Sequence, residues 1–206
     1  MLEYVSAKNL LKQLSKKDYI VYGNIKLPWK TYVKECELAV KKNSNYWQHN
    51  VDTNLKIWSK GAKHFLEGAK KNIKAGYTEH NTLVWKTTMQ KPKINFVWEN
   101  EIIKKLPLQA LHAVATPTLQ MPGNILPMHI DKFIFLKNTL GKNANIVRFL
   151  IFMKDWENGH ALQVGNSWLA NWSAGDVVLW YPNKPHLALN AGFTNKWTCN
   201  VTGILK

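Results

Sequence analysis

The stretch MPGNILPMHIDKF, residues 121–133, places a histidine and an aspartate two positions apart, directly behind a segment with two prolines and a glycine. On an extended strand, side chains at positions i and i+2 point to the same face. His129 and Asp131 could therefore offer an imidazole nitrogen and a carboxylate oxygen to one metal ion. Alone the motif is weak evidence, because a His-x-Asp tripeptide arises often by chance and can also cap a turn.

A third candidate ligand follows in SAGDVVLWYPNKPHLALN, residues 173–190. A Gly-Asp turn leads there into an apolar strand, and a Pro-rich turn precedes His186, which opens another strand. Strands from distant parts of a jelly roll can face each other across the mouth of the barrel. Two histidines and one carboxylate on one face, with open positions opposite, form the facial triad of non-haem Fe(II) oxygenases. His129, Asp131 and His186 are therefore predicted to bind a metal ion.

Lys196 and Thr198 repeat the i, i+2 spacing on the last predicted strand. A cation and a hydroxyl on one face could hold the far carboxylate of a dicarboxylate whose other end binds the metal. The alternatives are simpler. Lys196 is one of many lysines in this chain, and threonine is common in strands because of its shape.

The elements that must position these residues change in character near residue 105. Apolar residues at helical spacing predict helices over 6–17, 28–43 and 54–73, with short strands over 18–24 and 82–89. Beyond residue 105, short β-branched and aromatic segments alternate with Gly, Pro and Asn turns. They predict strands over 108–120, 145–153, 161–172, 176–182, 186–192 and 196–205.

Many short strands in succession are typical of a sandwich, barrel or jelly roll. The predicted fold class is α+β: a double-stranded β-helix, or jelly roll, with helices packed outside it that come mostly from the N-terminal half. The length of the chain suits one domain over 1–206. Within it, we expect 1–105 to be mainly helical with a few strands, and 106–206 to form the jelly-roll catalytic core.

In the order and spacing of these motifs, the chain resembles the 2-oxoglutarate/Fe(II)-dependent dioxygenase superfamily. The resemblance covers about residues 108–204 and rests on the HID motif, on His186, and on Lys196 with Thr198. The PGNILP turn and the W-x-A-G-D segment support it. The sequence pattern of the region is similar to that of the aspartyl/asparaginyl β-hydroxylase and prolyl hydroxylase branches of this superfamily. The family usually has arginine and then serine where this chain has lysine and threonine, so the bidentate fork is lost.

The resemblance implies that His129, Asp131 and His186 hold Fe(II), with 2-oxoglutarate chelating the iron through its keto acid end and O₂ as the second co-substrate. Lys196 and Thr198 would anchor the distal carboxylate of 2-oxoglutarate. The implied reaction hydroxylates a C–H bond of a small molecule or a protein residue and releases succinate and CO₂. Hydroxylation is favoured over halogenation because family halogenases lack the carboxylate that Asp131 supplies.

Three further side chains are candidates for the co-substrate or the substrate. Gln120 could donate a hydrogen bond to 2-oxoglutarate. Arg148 is the only arginine of the chain, and its planar fork suits a carboxylate of the substrate or of 2-oxoglutarate. An ion pair at the surface or at a strand edge is the alternative for this arginine. Asn190 shares a predicted strand face with His186 and could contact the substrate. His160 follows a Gly turn and is predicted to lie in a surface turn.

Lysine and arginine outnumber aspartate and glutamate by 28 to 13, so the formal charge is +15. That charge would suit nucleic acid as the substrate of the same chemistry, which predicts a continuous positive groove leading to His129. The scattered lysines and the abundant asparagine favour a compositional origin of the charge instead. A small-molecule or protein substrate is therefore the preferred expectation.

Two non-hydroxylase alternatives make different structural predictions. A non-enzymatic jelly-roll binding domain would bind no metal and would leave the side chains at 129, 131 and 186 pointing in different directions. A cupin-like metal enzyme that does not use 2-oxoglutarate would keep the metal but leave Lys196 facing solvent.

No apolar run approaches the roughly 20 residues of a membrane span, and the first residues have no signal-peptide pattern. Cys36 and Cys199 lie too far apart in the sequence to indicate a disulfide framework. We therefore expect a cytoplasmic, reducing location and no membrane partner.

Overall fold

The computed structural model of the chain describes residues 7–48, 63–133, 137–139, 141, 145–181 and 183–206. Within these ranges it has four helices: α1 (Ala7–Leu14), α2 (Trp29–Lys42), α3 (Lys63–Lys74) and α4 (Glu99–Lys104). The strands of the same ranges are β1 (Ile20–Asn24), β2 (Trp47–Gln48), β3 (Leu83–Lys86), β4 (Val114–Gln120), β5 (Ile125–His129), β6 (Ile146–Phe152), β7 (His160–Val164), β8 (Ser167–Leu169), β9 (Asp176–Leu179), β10 (His186–Asn190) and β11 (Lys196–Ile204).

These strands form two antiparallel sheets, one with the order β1-β9-β6-β11-β4-β3-β2 and the other with the order β5-β10-β7-β8. Apolar side chains of both sheets pack together between them, among them Phe152 and Val178 of the larger sheet and Leu162 and Val164 of the smaller. Two facing antiparallel sheets whose neighbouring strands are distant in sequence are the architecture of a jelly roll. The predicted α+β jelly-roll fold is confirmed.

The two faces of β11 differ in chemistry. Trp197, Cys199 and Val201 are buried in the apolar cluster on the helix-covered side of the larger sheet. Lys196 and Thr198 alternate with them and so point to the inner side, toward the smaller sheet. Their register partners on β4, Gln120 and Thr118, face the same way. One end of the barrel interior is therefore polar, although its position between two sheets would suit apolar packing.

Helices α1, α2 and α4 cover the outer face of the larger sheet. α2 buries one stripe at the i, i+3, i+4 and i+7 positions, which consists of Trp29, Tyr32, Val33 and Cys36. This stripe joins a single buried cluster with the outward side chains of β11. The helices predicted over 6–17 and 28–43 correspond to α1 and α2. Of the helix predicted over 54–73, the structure describes the part from Lys63, as α3, and residues 54–62 lie outside the described ranges.

Several predicted strands differ from the observed ones. The strand predicted over 161–172 is a hairpin of β7 and β8, because Gly165 takes a positive φ of 56° between them. The strand predicted over 108–120 begins only at Val114, after a short 3₁₀ turn at Ala110–His112. Of the predicted PGNILP turn, Pro122 and Gly123 form a turn, and the second half of the segment belongs to strand β5. Helix α4 was not predicted, since six residues are too few to show a helical period.

None of the helices in the described ranges is long and apolar enough to cross a bilayer.

Candidate metal centre

His129, Asp131 and His186 come together at one end of the smaller sheet. β5 and β10 are neighbours in that sheet, and His129 and His186 are direct cross-strand partners. Their ring centroids lie 4.2 Å apart. Asp131 follows just beyond the end of β5, and one ligand atom from each of the three residues lies within 4.8 Å of the others. The arrangement can hold a metal ion.

Backbone carbonyls orient both imidazole rings. His129 Nδ1 lies 2.8 Å from the carbonyl oxygen of Pro127, and His186 Nδ1 lies 3.0 Å from that of Lys184. In each case the carbonyl belongs to the residue two positions earlier. For His129, donation from Nδ1 keeps the lone pair of Nε2 for a metal and fixes the ring direction. At His186 the Trp180 indole Nε1–H also points at Nδ1, at 3.1 Å, so the ring is held between an N–H donor and a carbonyl. His186 Nε2 accordingly lies 3.7 Å from Asp131 Oδ2.

The protonation states of these three residues suit metal binding. Burial, together with the neighbouring His186, lowers the pKa of His129 to about 3. Burial also lowers the pKa of His186. For Asp131, burial is the largest effect and by itself would raise the pKa, but Arg148, His186, His129 and Lys86 together outweigh it, so the pKa lies below its ordinary value. At neutral pH the cluster therefore has two neutral imidazoles and one carboxylate, which is the form that coordinates metals.

An unsatisfied atom shows that the cluster fits a cation. Asp131 Oδ2 is buried and has no hydrogen-bond partner among the described residues. A buried carboxylate oxygen without a partner is costly, and native proteins rarely leave one. A divalent ion between Oδ2 and the two Nε2 atoms would satisfy it. The donor set of two imidazole nitrogens and one carboxylate oxygen suits non-haem Fe(II).

Arg148 contacts the candidate metal ligand itself. Its Nη1 donates to Asp131 Oδ1 at 2.6 Å, and its Nε donates to Thr202 Oγ1 at 3.0 Å. The guanidinium also lies over the Phe133 ring, with Cζ 4.9 Å from the ring centroid. Arg148 therefore forms an ion pair, as the alternative prediction had it, but it does so from the interior strand β6 and its contact to Asp131 is single rather than bidentate. Arg148 holds Oδ1, so that Oδ2 faces the two histidines.

Replacing Arg148 with methionine is expected to weaken metal affinity about 10-fold to 100-fold, the range for partners that orient metal ligands. The guanidinium also repels a divalent cation, but its hold on the carboxylate rotamer is the larger effect. Isothermal titration with Co(II) measures the affinity. The Thr202→Val variant, which removes only the Nε contact, should lose less. Metal binding that is unchanged or tighter in Arg148→Met would contradict this positioning role.

Lys196 spans the barrel interior from the larger sheet to the smaller. Its Nζ donates to the carbonyl oxygens of Ala161 at 2.7 Å and Leu189 at 3.2 Å. The side chain lies 5.4 Å from the Trp172 ring centroid and the residue is 3% exposed. Among the described residues no carboxylate forms an ion pair with it. Burial lowers the pKa of Lys196 to about 7, as expected for an ammonium without a counter-charge.

Thr198 and Gln120 are the polar neighbours of Lys196 on the inner face of the larger sheet. Thr198 is buried two positions along the same inner face. Gln120 is the cross-strand partner of Lys196, and its amide nitrogen donates to the carbonyl oxygen of Ala188 at 3.1 Å. β10 connects this polar end to the metal ligands, because it carries His186 at its start and presents the Leu189 carbonyl to Lys196.

Asn190 does not occupy a substrate-binding position, contrary to the prediction. It is 1% exposed, and its amide nitrogen donates to the carbonyl oxygens of Gln120 and Thr194. Its Oδ1 accepts from the Gly192 amide. The alternation of side chains along the strand correctly predicted that Asn190 points inward. Its amide, however, hydrogen-bonds to the end of β4 and to the turn after β10 and not to a ligand.

His160 is not in a surface turn, contrary to the prediction. It begins β7 and is 3% exposed, with Nε2 3.2 Å from the carbonyl oxygen of Thr194. It is not one of the three clustered ligand residues, so it remains a structural histidine of the described part of the chain.

Lys86 is a charged residue of this region that sequence reasoning missed. It ends β3 and is the register partner of Thr118, whose other partner is Thr198. Its charge acts on His129 and Asp131. Sequence alone offered no signal, because Lys86 is one lysine among many and only sheet pairing brings β3 beside β4.

No family model matches the chain, and no curated protein matches it either. Solved structures similar to it include a prolyl-4-hydroxylase from Pseudomonas putida, with 13% identity, 96% of this chain and 93% of that chain covered, and a TM-score of 0.48. A predicted oxalate decarboxylase from Thermotoga maritima is 12% identical, and the match covers 60% of this chain and 82% of that chain with a TM-score of 0.37. A cupin domain of a transcriptional regulator from Enterobacter cloacae is 11% identical, and the match covers 49% of this chain and 92% of that chain with a TM-score of 0.35.

Proposed function

We propose that this protein is an Fe(II)- and 2-oxoglutarate-dependent dioxygenase that hydroxylates a C–H bond of a small molecule or a protein residue. The observation that carries the proposal is one combination of groups inside the jelly roll. His129, Asp131 and His186 converge on one point, and a buried ammonium without a carboxylate partner, Lys196, lies farther along the same barrel interior.

Iron is proposed because of the ligand set and its geometry. Two imidazoles at neighbouring strand ends and one carboxylate just beyond them would hold an ion from one side, and such a ligand set leaves positions for other ligands. A structural zinc site would be closed by a fourth protein ligand. Among the described residues, the cluster contains no fourth histidine, cysteine or acidic side chain.

2-Oxoglutarate is proposed because of Lys196. A cupin-like metal enzyme without this co-substrate was expected to leave Lys196 facing solvent, whereas Lys196 is buried. The distal carboxylate of 2-oxoglutarate would supply the counter-charge that the ammonium lacks, and charge-assisted hydrogen bonds of this kind are the strong ones. The Thr198 hydroxyl and the Gln120 amide lie beside it as further polar partners.

In the proposed mechanism, bound iron with 2-oxoglutarate and O₂ supplies the oxidising power for C–H hydroxylation, with succinate and CO₂ as coproducts. The chain binds and orients the reactants. Neutral His129 and His186 and ionised Asp131 hold the metal, and Arg148 keeps the carboxylate turned toward it. Lys196 and Thr198 fix the far end of the co-substrate. The apolar cluster between the sheets excludes water from the deep end of the site.

The convergence of the three side chains argues against a non-enzymatic jelly-roll domain, which predicts side chains that point in different directions at these positions. The burial of Lys196 argues against a cupin-like enzyme that does not use 2-oxoglutarate.

The proposal is tested without knowledge of the substrate. Purified protein is titrated under anaerobic conditions with Fe(II) and then with 2-oxoglutarate. We expect a weak visible charge-transfer band that saturates with 2-oxoglutarate, and slow succinate formation once air is admitted. A protein that retains no metal under these conditions would refute the oxygenase function. Metal binding without any response to 2-oxoglutarate would refute the co-substrate.

A further inference from the structure

The inner face of the larger sheet carries a second cation beyond Lys196. Lys86, Thr118, Thr198 and Phe152 are successive register partners across β3, β4, β11 and β6. They form one row across the sheet. Lys86 is therefore level with Thr198 and separated from it by one strand, which places it toward the β2–β3 edge rather than at the Lys196 end.

Lys86 has an aromatic neighbour on the same face. Trp47, on the edge strand β2, pairs directly with Val84, and Val84 precedes Lys86 by two positions. The Lys86 ammonium lies 4.7 Å from the Trp47 ring centroid. An ammonium over an indole face is partly stabilised by it, but the ring does not neutralise the charge. Among the described residues no carboxylate forms an ion pair with Lys86.

Lys86 acts on the metal ligands and on Arg148. Burial, with a smaller contribution from the Arg148 guanidinium, lowers the pKa of Lys86 to about 8, and Asp131 acts in the opposite direction. The same lysine contributes to the pKa shifts of His129 and Asp131. Arg148 already holds Asp131 by an ion pair, and Lys86 is a second cation whose charge acts on the same carboxylate.

The charges of the loaded site leave a positive excess. The two charges of Fe(II) and the two of 2-oxoglutarate cancel. The side chains of the loaded site then contribute three cations, Lys86, Arg148 and Lys196, and one carboxylate, Asp131, while both histidines are neutral. Two positive charges in a partly desolvated site attract an anion strongly, because their field is only weakly screened there.

We infer that Lys86, together with Arg148, binds a carboxylate group of the substrate, so that the hydroxylated molecule is a small carboxylic acid whose target C–H bond is held at the metal by that anchor. This inference rests on the proposed function for its chemistry, but the anion site itself is defined by β3, β2 and β6. Trp47 would border the same subsite and contact the apolar part of the acid.

Binding of a small probe tests the inference without turnover. Protein loaded with Zn(II), in place of Fe(II), and saturated with 2-oxoglutarate is titrated with fluoroacetate and with its neutral isostere fluoroacetamide, followed by ¹⁹F NMR. We expect saturable binding of fluoroacetate and none of fluoroacetamide. In Lys86→Gln, fluoroacetate should bind about 10-fold more weakly or worse, since a charge-assisted hydrogen bond is lost. Lys86→Arg should retain most of the affinity.

The matched control is Lys104→Gln, which removes the same charge from the exposed surface of α4. It should bind fluoroacetate as the unmodified protein does. Equal binding of fluoroacetate and fluoroacetamide, undiminished binding in Lys86→Gln, or no fluoroacetate binding at all would each overturn the inference. Inorganic phosphate is added as a competitor. If phosphate displaces fluoroacetate and binds about 10-fold more tightly than fluoroacetate does, the site prefers phosphate. That result would overturn the carboxylate assignment in favour of a phosphate-bearing substrate such as nucleic acid.

The two proposals fail in different ways. 2-Oxoglutarate affinity is measured on the same samples by isothermal titration calorimetry. If 2-oxoglutarate does not bind but fluoroacetate binding still depends on Lys86, the co-substrate proposal fails and the anion site stands. If Lys86→Gln loses 2-oxoglutarate instead of fluoroacetate, Lys86 is a co-substrate anchor and the inference about the substrate is wrong.

Discussion

Replacement of His186 by alanine is expected to abolish stoichiometric metal binding, with a loss of affinity of well over 100-fold. Changes to the partners of metal ligands cost about 10-fold to 100-fold, and loss of a ligand costs more. His186 is one of three ligands, and its ring is already fixed by the Lys184 carbonyl. The measurement is the metal content after dialysis, together with titration by Co(II), whose visible bands report coordination.

The control for this variant is His160→Ala. His160 is also buried in the smaller sheet, in the neighbouring strand β7, but it is not part of the ligand cluster. Both variants lose a buried imidazole, so both should lose some stability, and circular dichroism identifies the temperature range in which each is folded. Only His186→Ala should lose the metal. Equal metal retention by the two variants would exclude His186 as a ligand.

Replacement of Lys196 by methionine is expected to separate co-substrate binding from metal binding. Methionine fills a similar volume but has no charge, so 2-oxoglutarate affinity should fall by about 100-fold, the effect of losing a buried charge-assisted pair. The metal should remain, since Lys196 contacts the carbonyls of Ala161 and Leu189 and none of the metal ligands. The charge-transfer band of the Fe(II) protein, titrated with 2-oxoglutarate, gives the affinity.

The same variant makes a prediction about stability with a definite sign. Burial lowers the pKa of Lys196 from 10.5 to about 7. The folded protein without ligand therefore disfavours the charged form, a cost that is absent above pH 10.5, grows as the pH falls toward 7, and is complete below it. Lys196→Met removes this cost, so below pH 7 its free energy of unfolding should exceed that of the parent by on the order of 2 kcal/mol, after the two lost hydrogen bonds.

Urea denaturation at pH 6 and at pH 9 measures this difference, which should be larger at pH 6. The control is Lys104→Met, which makes the same substitution on the exposed surface of α4. If Lys196→Met is less stable than the parent at pH 6, the ammonium is not uncompensated in the folded protein and the main argument for a dicarboxylate ligand is lost. If 2-oxoglutarate affinity is unchanged, Lys196 is not the anchor.

The sequence by itself determined which site residues share a face, through the alternation of side-chain direction along each strand. Period-two spacing put His129 beside Asp131 and Lys196 beside Thr198 on common faces, because successive side chains of an extended chain point to opposite sides. Short β-branched segments between turns were sufficient for the jelly roll, and the apolar stripe of α2 was sufficient for its place outside the sheet. These features depend on neighbours along the chain and are therefore visible in the sequence.

Only the tertiary structure decided which strands are neighbours, and with them the partners of each polar group. Arg148 contacts Asp131 rather than an open surface. The amide nitrogen of Asn190 donates to the backbone carbonyls of Gln120 and Thr194. Lys86 reaches the site because β3 pairs with β4, a register that no local pattern encodes. Hydrogen-bond partners across sheets depend on contacts between residues far apart in sequence. The identity of a lysine or arginine therefore does not indicate whether its side chain faces water or a metal ligand.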